Sequence, residues 1–142
     1  MANNLYDKGR EAFLTGQINW LSDTIKVSLL GVPVGANTLA YVARTSGVGS
    51  HEYLSSIPVE NVLATTQLQN KSSSDGVADA DDPLFSGVSG TITGIVIYKD
   101  TGVRTTSRLI AHIDDINGVF HQASGEDIKI SWDNESNKIF KL

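Results

Sequence analysis

The chain has 142 residues, a formal net charge of −5 at pH 7 and no cysteine. This length provides one domain with a substantial core and is too short for two ordinary domains. The absence of cysteine excludes disulfide bridges, zinc–thiolate sites and thiol nucleophiles. The 11 Lys and Arg residues are scattered, so no nucleic-acid surface is predicted. We expect no membrane span and no secretory signal, because no apolar run is long enough and the N-terminus is polar.

A short helix is predicted near the N-terminus. Asn4 is the predicted N-cap, Asp7 has the favourable charge for a first helical turn, and Gly16 is the predicted stop. One face of this helix collects apolar and small residues, namely Leu5, Gly9, Ala12 and Phe13. The small residues permit a close approach, and a helix this short needs packing against another element to be stable.

The apolar residues of this N-terminal segment are the predicted interface residues of the chain. Leu5, Phe13 and Trp20 are expected to dock the segment onto the sheet or onto a neighbouring subunit. The single domain predicted for residues 1–142 therefore consists of a helical segment, residues 1–16, followed by a β-sandwich, residues 17–142.

From Thr24 the apolar pattern changes to a period of two, which is typical of strands. Ile25, Val27 and Leu29 alternate with polar residues and predict a half-buried strand. Further strands are predicted at residues 38–42, 59–68, 93–98, 106–113, 128–132 and 138–142. About seven or eight short strands at roughly ten-residue spacing predict an all-β fold, an antiparallel β-sandwich or jelly-roll-like barrel with a short N-terminal helix.

Two of the predicted strands, Thr93–Tyr98 and Thr106–Ile113, are apolar on both faces. Such strands must be covered on both sides, either by a second layer of the same domain or by a neighbouring subunit. They are joined by a turn at residues 99–102 and preceded by a long acidic, glycine-rich stretch. This part of the chain is therefore predicted to form the centre of a structural or binding module.

Residues 70–82 are the least apolar part of the chain, and we predict a mobile loop there. Four carboxylates in this stretch offer oxygen ligands for calcium: Asp75, Asp79, Asp81 and Asp82. They lack the alternate spacing, central glycine and closing glutamate of an EF-hand. A solvated loop is the favoured interpretation, with a calcium site as the alternative.

The sequence does not predict an enzyme. His51, His112 and His121 have no second histidine at metal-ligand spacing, and no cofactor-binding motif is present. His112 has Ser107 and Asp114 as candidate partners for general-base chemistry, but an ordinary hydrogen-bonded strand histidine is favoured. The stretch from Gly87 to Gly90 is one residue short of a nucleophile elbow. Tyr41 and Tyr53, in irregular segments, are candidates for an exposed glycan-binding surface.

Most of the chain resembles a family of small virion proteins of tailed bacteriophages. The resemblance rests on several separate sequence blocks that occur in the same order as in the family. The blocks are LYDKGREAFLTGQINWLSDTIKVSLL, DGVADADDPLFSGVSG, IVIYKDTG, TSRLIAHID and ISWDNESNKIFKL. The resemblance implies a β-rich accessory subunit of the particle, a capsid cement or decoration protein, and no catalytic or ligand-binding residue.

Such a protein would be made in the host cytoplasm and would bind the major capsid protein on the outside of the virion. Homotrimers at junctions of the capsid lattice would add buried area that resists the pressure of packaged DNA. The alternatives are a tail or baseplate position and a host-glycan-binding module displayed on the particle.

Overall fold

The computed structural model describes residues 3–32, 52–113, 121–132 and 138–142, and its regular structure is mostly β. The helix α1 spans Asp7–Leu14. The strands are β1 (Asn3–Leu5), β2 (Ile25–Val32), β3 (Val62–Gln67), β4 (Ser72–Ser74), β5 (Val77–Asp79), β6 (Leu84–Lys99), β7 (Arg108–Ile113), β8 (His121–Lys129) and β9 (Phe140–Lys141). Two 3-10 turns lie at Leu54–Ser56 and Val59–Asn61. The predicted all-β, sandwich-like fold with a short helix near the N-terminus is confirmed.

The strand pairs among the described residues are antiparallel, and they form a large and a small sheet. The large sheet has the order β1-β7-β6-β2-β3, with β8 also paired to β6. The small sheet has the order β4-β5-β9. The 16-residue strand β6 organises the large sheet, because its first half pairs with β8 and its second half pairs with β2 and β7.

Both faces of the large sheet are buried around its centre, as the doubly apolar strands predict. Ile95 and Ile97 of β6 belong to the main core cluster, which includes residues of the small sheet and the segment after α1. Val96 and Tyr98 belong to a second cluster on the other face, covered by Tyr6 and by two side chains of the first 3-10 region, Leu54 and Ile57. The residues that cover the two faces of the large sheet come from this same chain.

The predicted start of the N-terminal helix is wrong. Residues 3–5 form β1 along β7, and Leu5 is therefore a strand residue opposite Ala111. The N-cap is Tyr6, whose backbone N–H donates to Ile110 O at 2.9 Å. Pairing with β7 supplies the backbone hydrogen bonds that a cap at Asn4 would have provided, so the strand replaces the first predicted turn. The predicted stop is confirmed, since Gly16 has a φ of 77° just beyond the helix.

Residues 70–82 are not a plain loop, because β4 and β5 form a hairpin within them. Asp75 and Gly76 have φ values of 53° and 81°, which suit a two-residue hairpin turn. The serine-rich β4 has no apolar alternation, so the period-two pattern missed this hairpin.

Smaller differences concern the ends of the predicted strands. A 3-10 turn precedes β3, and β8 ends at Lys129, although Ile130 and Trp132 are buried beyond it. The strand predicted at residues 38–42 lies outside the described residues.

Candidate functional site

An aromatic cleft of about 250 Å³ opens between the end of α1 and the small sheet. Its aromatic residues are Phe13, Trp20 and Phe140, from three separate parts of the chain. The β4–β5 hairpin forms one wall, and Leu142 contributes an exposed apolar side chain. We refer to this site below as the aromatic cleft.

The ring of Phe140 packs against the rings of both Phe13 and Trp20. Trp20 and Phe140 meet edge to face with ring centroids 5.2 Å apart, and Phe13 lies 6.0 Å from Phe140. The Trp20 indole Nε1 donates to Ser72 O at 3.0 Å and to Asp79 O at 3.4 Å. Trp20 thereby joins the hairpin to the main core cluster.

The structure brings together two of the three predicted interface residues. Phe13 is half-buried and Trp20 is buried, and both line the aromatic cleft. Leu5 is buried in β1 and does not line it. Phe140 was missed, although its place in a predicted C-terminal strand was a signal that it packs inward. An intersubunit role of the three predicted residues stays a prediction.

Exposed apolar side chains lie at and next to the cleft residues. Leu142 is 57% exposed and lines the cleft. Leu14 directly follows Phe13 in the chain and is 88% exposed, while Leu21 directly follows Trp20 and is 56% exposed. Of these three side chains, Leu142 alone lines the cleft, where it extends the apolar surface outward.

The acidic residues of the predicted calcium site are spread over the hairpin and the segment after it. Asp75 lies in the hairpin turn and Asp79 in β5. The Asp81 carboxylate accepts the side-chain amide of Asn70, and the Asp82 carboxylate accepts the backbone N–H of Trp132 at 3.0 Å. Within residues 3–32, 52–113, 121–132 and 138–142, no three potential ligands of the His, Cys, Asp and Glu types are grouped to hold a metal ion.

Among the residues considered for general-base chemistry, Ser107 uses its hydroxyl for hydrogen bonds within the turn that precedes β7. The Ser107 hydroxyl donates to Val103 O at 2.8 Å and accepts the Thr101 N–H at 3.1 Å. His112 is buried in β7, at the position opposite Val96 of β6. His51 and Asp114 lie outside the described residues.

One of the two tyrosines considered for glycan binding lies under a charged side chain. The Arg108 guanidinium carbon stands 5.1 Å from the Tyr53 ring centroid, and the Arg108 Nη1 donates to Glu52 Oε1 at 2.7 Å. This hydrogen bond is the main cause that lowers the pKa of Glu52 from its ordinary value. Tyr41 lies outside the described residues.

Comparison with protein-family models gives no match, and no curated protein matches the chain either. Within the described ranges, no helix is both long and apolar enough to cross a membrane.

Proposed function

We propose that this protein is a non-enzymatic structural component of a bacteriophage virion, a cement or decoration protein that self-associates and binds the major capsid protein. Two lines of argument support this proposal. The first is the resemblance of five sequence blocks to small virion proteins. The second is the aromatic cleft, which suits docking of a partner protein.

The aromatic cleft is the observation that carries the proposal. The half-buried ring of Phe13 and the buried rings of Trp20 and Phe140 line the cleft, and Leu142, a residue 57% exposed, extends its apolar surface to the exterior. An apolar side chain of a capsid subunit inserted there would remove this surface from water, which favours association. A protein that binds only the assembled lattice stabilises that lattice by mass action.

A position on the tail or baseplate is the second candidate within the same class of function. The same apolar docking surface would serve there, so the two positions differ only in the partner. Electron microscopy of complete particles, with the density of this chain located, distinguishes a capsid position from a tail position.

The docking proposal is tested by a charge placed in the aromatic cleft. In Leu142→Asp, docking would bury an unpaired carboxylate, which costs several kcal/mol and reduces binding to particles lacking this protein by a factor of at least about ten. Val103→Asp is the matched control, because Val103 is 54% exposed and lies outside the cleft. Binding is measured by co-sedimentation of purified protein with the particles.

We expect the wild type and Val103→Asp to bind equally and Leu142→Asp to remain folded but unbound. Wild-type protein that does not co-sediment with phage particles contradicts the proposed function. Equal binding of both variants contradicts the role of the cleft.

A further inference from the structure

The strand β3 forms one edge of the large sheet in the described part of the chain. Its six residues, VLATTQ, include no charged residue and no proline. Unpaired strand edges attract other strands, and proteins usually protect them with charges, prolines, bulges or short length.

The other edge strands in the described ranges have such protection. The strand β8 carries Glu126, Asp127 and Lys129, and β9 carries Lys141. The strands β1 and β4 are only three residues long. The strand β3 therefore differs from the other edges in lacking charge over a longer run, and its one bulge lies near its start, at Leu63.

The hydrogen-bond phase of β3 determines which backbone groups face away from β2. The Leu68 N–H donates to Ile25 O at 2.9 Å, so residues 25 and 68 form a hydrogen-bonded pair. Such pairs alternate along an antiparallel ladder with pairs that do not bond each other. The next residue, Gln67, is opposite Lys26 and directs its N–H and C=O outward. Thr65 does the same, whereas Thr66 bonds inward.

This outward edge is regular over a short, defined run. The register between β2 and β3 shifts at Leu29 and Leu30, which leaves Leu63 as an extra residue in β3. The regular part therefore begins at Ala64. The side chains of Thr65 and Gln67 are exposed, and strand side chains stand roughly perpendicular to the plane in which another strand would pair.

We propose that β3 pairs antiparallel with β3 of a second copy of this chain, about a two-fold axis at Thr66. Thr65 of each copy then forms a hydrogen-bonded pair with Gln67 of the other, which uses all four outward backbone groups on each side. Thr66 lies opposite Thr66 of the other copy across the axis, and such a β-branched pair suits a sheet. A second copy is the fitting occupant because the edge is self-complementary and brings no like charges together.

A two-fold contact joins chains in pairs, so the assembly has an even number of copies. The contact alone gives a dimer, and combined with the three-fold association implied by the sequence resemblance it gives a hexamer. The large sheet continues across the axis in either case.

The test uses two substitutions at one position. Gln67→Pro removes an outward N–H, leaves the inward bonds of Thr66 and Leu68 to β2 in place, and is expected to halve the mass of the assembly measured by light scattering. Gln67→Ala keeps the N–H and is expected to retain the wild-type mass. Circular dichroism and the melting temperature establish that both variants are folded.

A wild-type monomer or an odd number of copies overturns the inference, and so does a Gln67→Pro variant that is folded and keeps the full mass. If Gln67→Pro does not fold, amide hydrogen exchange of the wild type decides: we expect the N–H groups of Thr65 and Gln67 to exchange as slowly as that of Thr66. Fast exchange at Thr65 and Gln67 overturns the inference. Co-sedimentation with particles is a separate readout, so a failed β3 contact leaves the proposed capsid role standing.

Discussion

Gly9 determines how closely α1 lies against β7. A Cβ atom at this position would stand 2.6 Å from Leu109 O, closer than real Cβ atoms come to another atom, and 3.1 Å from Ile110 Cα, a tight contact. The helix therefore rests directly on the strand, and Ala12 is buried one turn further on. The sequence predicted a close approach from the small residues on this face, and the structure identifies β7 as the element approached.

Gly9→Ala is expected to destabilise the protein, although alanine is the better helix former. Helix propensity favours alanine by about 1 kcal/mol, whereas overpacking against rigid backbone costs about 1–3 kcal/mol, so a net loss is expected. Urea unfolding measures the difference. Lys8→Ala, at the neighbouring position with a side chain 44% exposed, is the control and should leave stability nearly unchanged. A more stable Gly9→Ala variant would show that α1 can move away from β7.

At the scale of elements, the β4–β5 hairpin forms the wall of the aromatic cleft. Its position depends on Trp20, which donates to one carbonyl on each hairpin strand, and on the pairing of β5 with β9. Its turn depends on Asp75 and Gly76, both with positive φ. The sequence signal for this hairpin was the Asp-Gly pair, since the flanking serines carry no hydrophobic pattern.

Gly76→Val is expected to loosen the hairpin, because a β-branched residue at a φ of 81° is strained by about 1–3 kcal/mol. The indole N–H resonance of Trp20 in an NMR spectrum reports the result, since its acceptors lie in the hairpin. Asp75→Asn is the matched control, because asparagine tolerates positive φ and the substitution removes the carboxylate. We expect a shifted or broadened Trp20 resonance in Gly76→Val alone. An unchanged resonance would mean that the turn does not position the wall.

At the scale of the whole molecule, the second face of the large sheet is covered by a short segment, residues 52–57, which two arginines hold in place. Arg104 donates to the carbonyls of Leu54 and Ile57, and Arg108 binds Glu52. These contacts fix residues 52–57 over the second core cluster, which includes Val96. Hydrogen bonds from these two arginines therefore hold the apolar side chains of Leu54 and Ile57 over the second face of the large sheet.

Two carboxylates, Glu52 in this segment and Asp100 directly after β6, make the stability of the protein depend on pH. The Arg108 hydrogen bond lowers the pKa of Glu52 below its ordinary 4.5. Burial raises the pKa of Asp100, but hydrogen bonds from Lys26 and the Gly102 N–H outweigh it and lower the pKa below 3.8. The unfolded chain then binds protons more readily than the folded one, so this stabilisation is present above the ordinary values and is lost as pH falls through the folded pKa values.

We therefore expect the free energy of unfolding to fall as the pH decreases below about 4.5. Urea titrations at a series of pH values measure the fall. Glu52→Gln should be less stable at neutral pH and should show a smaller loss in acid. If Glu52→Gln loses as much unfolding free energy in acid as the wild type does, Glu52 does not contribute to the pH dependence.

Local patterns in the sequence predicted much of the fold. Alternation at Ile25, Val27 and Leu29 predicted β2, and the doubly apolar strands predicted a sheet covered on both faces. Phe13 and Trp20, two of the three residues predicted to dock the N-terminal segment, line the aromatic cleft, whereas the cleft itself was not predicted. Such features depend on side-chain period and polarity, which are properties of neighbouring residues.

Long-range pairing accounts for the features that the sequence did not reveal. Residues 3–5 became a strand because β7 offers them backbone partners, and the aromatic cleft formed because β9 brings Phe140 to Trp20. The sequence alone specified the strand-rich composition and the need for two covers over the central strands. Which segments supply those covers, and which aromatic residues meet, follows from contacts between distant residues that no local pattern contains.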